Sequence, residues 1–231
     1  MNGFVLALAG FVALHIGVSA TGLRARLVAR MGAGPYRIAF SLASLGLLAW
    51  MIVSFGAMRG DPFDPLNQVL WSPPAWARGI GQLLVLIGFV FAVSGLVSPS
   101  PTLAGAEGLL RKEAPARGIV RITRHPFLWG VALWAAGHLL ANGERFAPML
   151  FGALAAMVLF GTRSIDRKSA ARDPENWARF AAATSNVPFA AIVQGRNRLA
   201  FGEMALGLVA AFAAYALMLY FHGALIGKPA Y

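Results

Sequence analysis

Six long stretches of apolar residues, separated by polar segments, divide this chain. They cover residues 2–23, 38–58, 79–97, 126–141, 146–161 and 199–222. A helix needs about 20 predominantly apolar residues, each rising about 1.5 Å, to cross the hydrocarbon core of a bilayer. The pattern therefore predicts an all-α, polytopic membrane helix bundle with about six transmembrane helices, built as a single domain over residues 1–231.

The basic residues alternate between the segments that flank these stretches. Sixteen of the 20 Lys and Arg residues follow the first, third and fifth stretches, whereas Arg59, Arg78, Arg145 and Lys228 lie in the other segments. Since basic loops are retained in the cytoplasm, we expect three cytoplasmic loops and both termini outside, in a multi-pass inner-membrane protein. The net charge of +11 then reflects topology and contact with anionic membrane lipids, which argues against a nucleic-acid partner.

The composition restricts the chemistry that such a bundle can carry. The chain is 58% apolar and 13% charged, and it contains no Cys. The lack of Cys excludes disulfides, Cys-ligated zinc or iron–sulfur centres and covalent haem attachment. Ionisable side chains inside a membrane are costly, and each is therefore a functional candidate. Within the apolar stretches these candidates are His15, His138 and Glu203.

His15 and His138 lie at similar predicted depths in different helices. Counting from the cytoplasmic ends of their stretches places His15 roughly 12 Å deep and His138 roughly 18 Å deep. Two such imidazoles can supply both axial ligands of haem b, and the aromatic residues four positions earlier, Phe11 and Trp134, would suit a porphyrin. The sequence leaves two interpretations open: a haem iron bound by both histidines, or histidines that only tie helices together in a non-catalytic scaffold.

Arg121, Arg124 and His125 lie just before Pro126, the first residue of the fourth stretch. Free N–H groups at the start of a helix, together with nearby cations, favour an anion. These three residues are therefore candidate cofactor-binding residues for a haem propionate, a lipid phosphate or a cofactor carboxylate. The alternative is a basic anchor at the membrane surface.

The last basic segment is expected to carry an amphipathic helix. Its residues Trp177 and Phe180 are three positions apart, so they would face the bilayer or the bundle as an apolar stripe. Glu203 follows this segment and is expected to pair with a neighbouring arginine, Arg196 or Arg198. Both features are interpreted as structural.

Several motifs resemble those of the NnrU family of bacterial membrane proteins. The longest is ITRHPFLWG at residues 122–130, followed by Trp134 and by HLLANG at residues 138–143. The resemblance extends over nearly the whole chain. The other matching residues are His15, Arg24, Tyr36, Arg37, Ile165, Asp166, Lys168, Trp177, Phe180, Thr184, Ser185, Pro188, Phe189, Gly195 and Arg196.

This resemblance implies a membrane protein with a role in denitrification and nitric-oxide metabolism, with nitrogen-oxide respiratory components as candidate partners. The related zeta-carotene isomerase of plants and cyanobacteria resembles the same fold and uses haem b to isomerise a cis double bond of a carotenoid. Its ligating histidines correspond to His15 and His138 here. The alternative function is thus a haem-dependent cis–trans isomerase of a polyene or another hydrophobic small molecule.

A different class of enzyme shares part of the pattern. An Arg-His-Pro sequence that opens a membrane helix, followed by a basic segment with Trp177, Phe180 and Pro188, is similar to isoprenylcysteine methyltransferases. In those enzymes the histidine end of the helix helps to hold the carboxylate of S-adenosylmethionine. Only Asp166 and Glu175 are available here for their paired acidic motif, so methyl transfer ranks third among the functions.

Overall fold

The computed structural model describes residues 2–18, 21–98 and 100–228, and over these ranges the chain is mainly helical. The α-helices in the described ranges are α1 (Gly3–Ala13), α2 (Leu23–Met31), α3 (Ala33–Gly60), α4 (Ala75–Val97), α5 (Pro126–Ala141), α6 (Ala153–Arg172), α7 (Pro174–Ala183), α8 (Ala190–Val193) and α9 (Phe201–Ile226). π-Helical turns continue α1 at Leu14–Val18 and precede α6 at Pro148–Gly152. Short 3-10 turns occupy Pro65–Asn67, Glu107–Arg111 and Gly118–Arg121.

All six apolar stretches contribute helices, which confirms the all-α membrane fold. By length and hydropathy, α3, α4, α9 and the unit formed by Pro148–Arg172 are each able to cross a membrane. α5 has the bounds that the sequence predicted, and its 16 residues span only about 24 Å. Proline suits its first turn because the N–H group there has no intrahelical partner. The count of six spans and the placement of the termini stay predictions.

The first stretch is not one continuous span, which corrects the expectation of a single helix over residues 2–23. α1 with its π-helical turn ends at Val18, and α2 begins at Leu23 with its axis 79° from that of α1. Residues 19 and 20 of this stretch lie outside the described ranges. α2 carries three arginines in nine residues, and charged side chains are stable at the membrane surface but not in hydrocarbon.

Glycines set the most extensive helix pairing, which joins α4 to α5. A Cβ added at Gly81 would lie 2.7 Å from the carbonyl oxygen of Gly137, and one added at Gly88 would lie 2.8 Å from that of Gly130. One turn nearer the start of α5, a Cβ at Gly95 would lie 2.9 Å from Cγ of Pro126. Only a hydrogen atom fits at these positions, so the two backbones approach as closely as in other small-residue helix pairs of membranes.

Close contacts of the same kind attach the remaining helices. A Cβ at Gly207 of α9 would lie 2.9 Å from the Ser94 side chain on α4, and one at Gly10 of α1 would lie 3.0 Å from Leu47 on α3. α6 packs against α5 and also contacts α1 and its π-helical turn. A buried apolar cluster that includes Phe4, Met58, Ala135, Phe146 and Phe151 fills the space between these helices.

Charged residues gather at the two ends of α5. Where α5 ends, Glu144 accepts hydrogen bonds from Arg59 at 3.0 Å and from Lys228 at 2.6 Å. The ion pairs at the end where α5 begins are Arg111–Asp173, Arg121–Glu203, Arg124–Asp166 and Arg172–Glu107. The residues around Glu144 come from segments predicted to be external. The ion pairs near the start of α5 come mainly from segments predicted to be cytoplasmic. The structure thus places these two sets of segments at opposite ends of α5.

We expect the α4–α5 contact to tolerate no larger side chain. Gly88→Leu should destabilise the bundle by about 1–3 kcal/mol or more, because the added atoms would force two backbones apart. Gly46→Leu on α3 is the matched control, since its position has open space around it. Thermal unfolding of both variants in detergent, followed by fluorescence-detected size exclusion, provides the comparison. Equal unfolding temperatures for the two variants would contradict the close contact.

Candidate functional site

His15 lies on the π-helical turn that continues α1. Its Nδ1 donates a hydrogen bond to the carbonyl oxygen of Phe11 at 2.8 Å. The imidazole lies 4.2 Å from the Phe11 ring and 5.4 Å from the Phe40 ring of α3, measured between centroids. π-Helical turns are rare and frequently occur at functional sites.

His138 lies near the end of α5 in a similar environment. Its Nδ1 donates to the carbonyl oxygen of Trp134 at 2.9 Å. Its ring stacks on Phe151 with centroids 4.7 Å apart, and the Trp134 ring lies at 4.6 Å. Phe151 belongs to the second π-helical turn, so both histidines adjoin an irregular turn of a membrane helix. The predicted aromatic surroundings of both histidines are thus present.

These hydrogen bonds determine where each neutral imidazole carries its proton. A carbonyl oxygen only accepts, so Nδ1 of His15 and of His138 must hold the proton and Nε2 must hold the lone pair. Neither Nε2 has a hydrogen-bond partner among the described residues. Metal-bound histidines typically use this arrangement, in which the non-ligating nitrogen donates to a carbonyl or carboxylate. In both rings Nε2 is therefore unprotonated and able to bind a metal ion.

The two histidines differ more in depth than the sequence predicted. Because α1 with its π-helical turn ends at Val18, His15 lies only roughly 5 Å from that end, whereas His138 lies roughly 18 Å from the start of α5. The predicted stretch continues five residues beyond this turn, up to Leu23 at the start of α2. α1 begins where α5 ends, as the Asn2–Asp64 and Arg59–Glu144 contacts show.

The opposite directions of α1 and α5 compensate part of this offset. Helical side chains lean towards the N-terminus of their helix. The imidazoles of His15 and His138 both follow this rule, since each bonds the carbonyl four residues earlier. The two rings therefore lean towards each other along the bundle axis. α6 packs against both the turn that carries His15 and the helix that carries His138.

A metal ion bound by protein side chains alone finds no site in the ranges that the structure describes. No group of three or more His, Asp or Glu side chains there is close enough to hold one. A haem would need only two axial ligands from the protein, since the porphyrin supplies the equatorial nitrogens, and His15 and His138 each carry one ring nitrogen suited to that role.

Arg124 and His125 converge on Asp166 of α6. His125 is 2% exposed, and its Nε2 lies 2.6 Å from Oδ1 of Asp166. Nε of Arg124 lies 3.5 Å from Oδ2 of the same carboxylate, and the Arg124 guanidinium lies 5.4 Å from the centre of the Trp177 ring. Burial lowers the pKa of Arg124, and the charge of Asp166 opposes that shift.

A loop after α7 completes this polar cluster. The backbone carbonyl of Asn186 accepts hydrogen bonds from Oγ1 of Thr123 at 2.6 Å and from Nε1 of Trp129 at 2.8 Å. Its side-chain amide donates to Asp166 at 3.3 Å. The segment before α5, the end of α6 and the loop after α7 are thereby fastened to one another around His125.

Arg121 belongs to a different contact. It donates two hydrogen bonds to Glu203, at 2.7 and 2.9 Å, and one to Asn197 at 2.9 Å. The Glu203 carboxylate raises the pKa of Arg121, and burial acts in the opposite direction. The expectation that Glu203 pairs with Arg196 or Arg198 is wrong, because the 3-10 turn before α5 brings Arg121 to the first turn of α9.

The amphipathic helix is confirmed as α7, and its apolar stripe has a protein partner. Phe180 is fully buried against Leu110, Ala116 and Val120, which belong to the segment between α4 and α5. Trp177 packs against this cluster as well. The stripe therefore fastens two predicted cytoplasmic segments to each other.

Residues 3–230 of the chain match the family described as NnrU protein. The chain belongs to the NnrU family. Two relatives of this family member are called 15-cis-zeta-carotene isomerase, chloroplastic: that of Zea mays is 31% identical over 192 residues, and that of Arabidopsis thaliana is 42% identical over 82 residues. The first match covers 82% of this chain and 50% of the relative, and the second covers 36% and 22%. The chain thus spans at most about half the length of these relatives. No solved structure matches it.

Sequence reasoning on this NnrU chain missed the roles of Asp166 and Asn186. Asp166 lies in the matching motif and is one of three acidic residues in a segment rich in Arg and Lys. An acidic residue among so many bases is a signal for an ion pair. Asn186 acts mainly through its backbone carbonyl, which leaves no mark on the sequence.

We expect Glu203→Gln to weaken the attachment of α9. The side chains of Arg121 and Glu203 are 19% and 29% exposed, and loss of the charged acceptor should lower the free energy of unfolding by about 1–3 kcal/mol. Glu175→Gln on the exposed start of α7 is the matched control. Chemical unfolding of both variants in detergent tests this, and no difference between them would refute a stabilising role for the pair.

Proposed function

We propose that this NnrU family member is an inner-membrane haem b protein that acts in denitrification and nitric-oxide metabolism, with His15 and His138 as the iron ligands. The observation that carries the proposal is the pair of imidazoles in membrane helices whose Nδ1 donates to a carbonyl and whose Nε2 has no partner in the described residues. Ionisable side chains within membrane helices are costly and mark functional sites.

The residues around the two histidines support this assignment. The rings of Phe11 and Phe40 beside His15, and of Trp134 and Phe151 beside His138, would exclude water from an apolar macrocycle. The helix backbone fixes the tautomer of each imidazole. Haem held by these two ligands would supply electron transfer or, with one axial position free, binding of a small molecule at iron.

Cations near His15 are available for the haem propionates. Phe40 contacts Tyr36 with ring centroids 6.0 Å apart, and the guanidinium of Arg24 lies 5.8 Å from the centre of the Tyr36 ring. Arg24 and Arg37 line a cleft of about 380 Å³ at this end of the bundle.

Arg121, Arg124 and His125 were also predicted to serve the propionates. Each of them already has a carboxylate partner, so a propionate there would compete with Glu203 or Asp166. Arg24 therefore becomes the first candidate for this role.

Absorption spectra of the detergent-purified protein test haem ligation. We expect a Soret band, sharp α and β bands after reduction with dithionite, and their loss in His15→Ala and in His138→Ala. His222→Ala is the matched control for a histidine at the same end of the bundle as His138, because Nδ1 of His222 also donates to a carbonyl, that of Lys228 at 2.7 Å. A folded wild type without haem, expressed with adequate haem supply, would refute the proposal and direct the search to S-adenosylmethionine binding.

The role in denitrification requires a test in cells. Deletion of the gene from its source organism should slow anaerobic growth on nitrite, and the wild-type gene should restore it. We expect the His15→Ala and His138→Ala genes to fail in this complementation. Restoration by either variant would separate the nitrogen-oxide role from haem.

A second candidate function is cis–trans isomerisation of a polyene. The 31% identity to the Zea mays 15-cis-zeta-carotene isomerase, over 82% of this chain, favours it. We expect the purified, reduced protein to convert 15-cis-zeta-carotene to the trans isomer, with no conversion by His138→Ala, as measured by chromatography. A haem-loaded protein that leaves the carotenoid unchanged would count against isomerisation and would leave the first function standing.

A further inference from the structure

A charged cleft lies at the end of the bundle where α5 begins. Its volume is about 380 Å³, and its walls are α2, the start of α3, the 3-10 turn Glu107–Arg111 and the end of α6. Four guanidinium groups and two carboxylates line it, which gives the lining a net charge of +2. The charged residues of the lining are Arg24, Arg37, Arg111, Arg172, Glu107 and Asp173.

The two carboxylates of the cleft are each paired with one arginine. The pairs are Arg111–Asp173 at 3.4 Å and Arg172–Glu107 at 3.8 Å. The other two arginines form no ion pair with a residue that the structure describes: the Arg24 guanidinium lies over the Tyr36 ring, and Nε of Arg37 donates to the carbonyl oxygen of Ala33 at 3.2 Å. The charges of Arg24 and Arg37 are therefore not compensated within the described part of the cleft.

Tyr36 adds an unused hydrogen-bond donor to the same cleft. The residue lines the cleft and is only 6% exposed. Its hydroxyl makes no hydrogen bond to a described residue and, unlike the unpartnered oxygens of Ser44 and Ser94, it is not sealed from solvent. The O–H group of a buried tyrosine usually finds a partner. A molecule that binds in the cleft and accepts hydrogen bonds would supply that partner.

We infer that this cleft binds a phosphate monoester, held by the guanidinium of Arg37 and the hydroxyl of Tyr36 with Arg24 beside them. Such a group carries about −1.5 to −2 charges at neutral pH, which complements the lining, and its three terminal oxygens all accept hydrogen bonds. Guanidinium groups match phosphate through paired N–H bonds. A single carboxylate has half the charge and would leave part of this donor set unused.

The inference does not rest on the proposed haem. Arg24 is also the first candidate for a haem propionate, but a guanidinium has five N–H donors and is able to serve both groups. Tyr36 and Arg37 carry the phosphate site, and the experiments below address these two residues.

A membrane lipid or a soluble compound can supply this phosphate. In the turns of α3 that follow the cleft, Ile38, Leu42 and Leu45 are each at least 60% exposed, which leaves an apolar surface for the chains of a lipid. Phosphatidic acid therefore fits, with its head group in the cleft and its chains along α3. A phosphorylated metabolite would use the same contacts to phosphate without this surface of α3.

Native mass spectrometry of the detergent-purified full chain measures the binding. The probes are phosphatidic acid and phosphatidylglycerol with identical chains, and glycerol 3-phosphate as the soluble monoester. We expect a monoester to bind at least about fivefold more tightly than phosphatidylglycerol, because a diester has a lower charge and one terminal oxygen fewer. Displacement of phosphatidic acid by glycerol 3-phosphate would identify a soluble ligand, and its failure to displace the lipid would identify a lipid. Equal affinity for the two lipids, without binding of glycerol 3-phosphate, would overturn the inference.

Two pairs of variants locate the phosphate. Tyr36→Phe should weaken monoester binding at least about threefold, because it removes one hydrogen bond to a charged group, whereas Tyr220→Phe, on an exposed residue near the other end of α9, should not. Arg37→Gln should weaken it about tenfold, and Arg30→Gln removes the same charge from an exposed position outside the cleft.

Circular dichroism and thermal unfolding establish that all four variants are folded. Equal losses in Arg37→Gln and Arg30→Gln would indicate a general attraction of anions to a basic surface and would overturn the site. Unchanged affinity in Tyr36→Phe would do the same.

Absorption spectra of the same wild-type preparation keep the phosphate site and the haem apart. A folded protein without a Soret band that binds the monoester would refute the haem and leave this inference standing. A haem-loaded protein that binds no monoester would overturn this inference and leave the haem standing.

Discussion

The close approach of α4 and α5 is the constraint on which the rest of this bundle depends. Glycines replace side chains along this interface, so carbonyl oxygens and backbone atoms of one helix fill the space that a Cβ would need on the other. α5 carries His138 near one end and follows His125 at the other. A single packed interface therefore fixes the height and rotation of both histidines. In a bilayer, where lipid is as apolar as the helix surface, such close packing replaces the hydrophobic effect as the force that orders helices.

The scarcity of acidic residues shapes both ends of the bundle. The chain has nine Asp and Glu residues against 20 Lys and Arg residues, and single carboxylates contact more than one nitrogen-bearing side chain. Glu144 joins Arg59 to Lys228, and Asp166 joins Arg124 to His125. Each of these carboxylates ties together segments that are distant along the chain. A partly buried carboxylate with two donors is well satisfied, whereas loss of the carboxylate leaves two cationic or polar groups without a partner.

In both membrane histidines, a hydrogen bond within the same helix fixes the tautomer of the imidazole. Each donates to the carbonyl four residues earlier and contacts the aromatic ring at that same position, Phe11 for His15 and Trp134 for His138. The helix itself thus sets the tautomer, and no distant residue is needed to keep Nε2 unprotonated and able to bind a metal ion. His125 is prepared differently, since a carboxylate of another helix holds its Nε2 and leaves Nδ1 free. The two arrangements therefore leave opposite imidazole nitrogens without a partner among the described residues.

The sequence by itself determined the helices, the start of α5 at Pro126, the aromatic neighbours of both membrane histidines and the sorting of loops to two ends. These features depend on hydropathy, on proline geometry and on spacing within one helix, all of which are local. The tertiary structure decided that α2 lies at 79° to α1, that Asp166 is the partner of His125 and that Glu203 is the partner of Arg121. Those outcomes depend on the register and rotation of packed helices, which glycine contacts fix in three dimensions and which an apolar pattern along the chain does not encode.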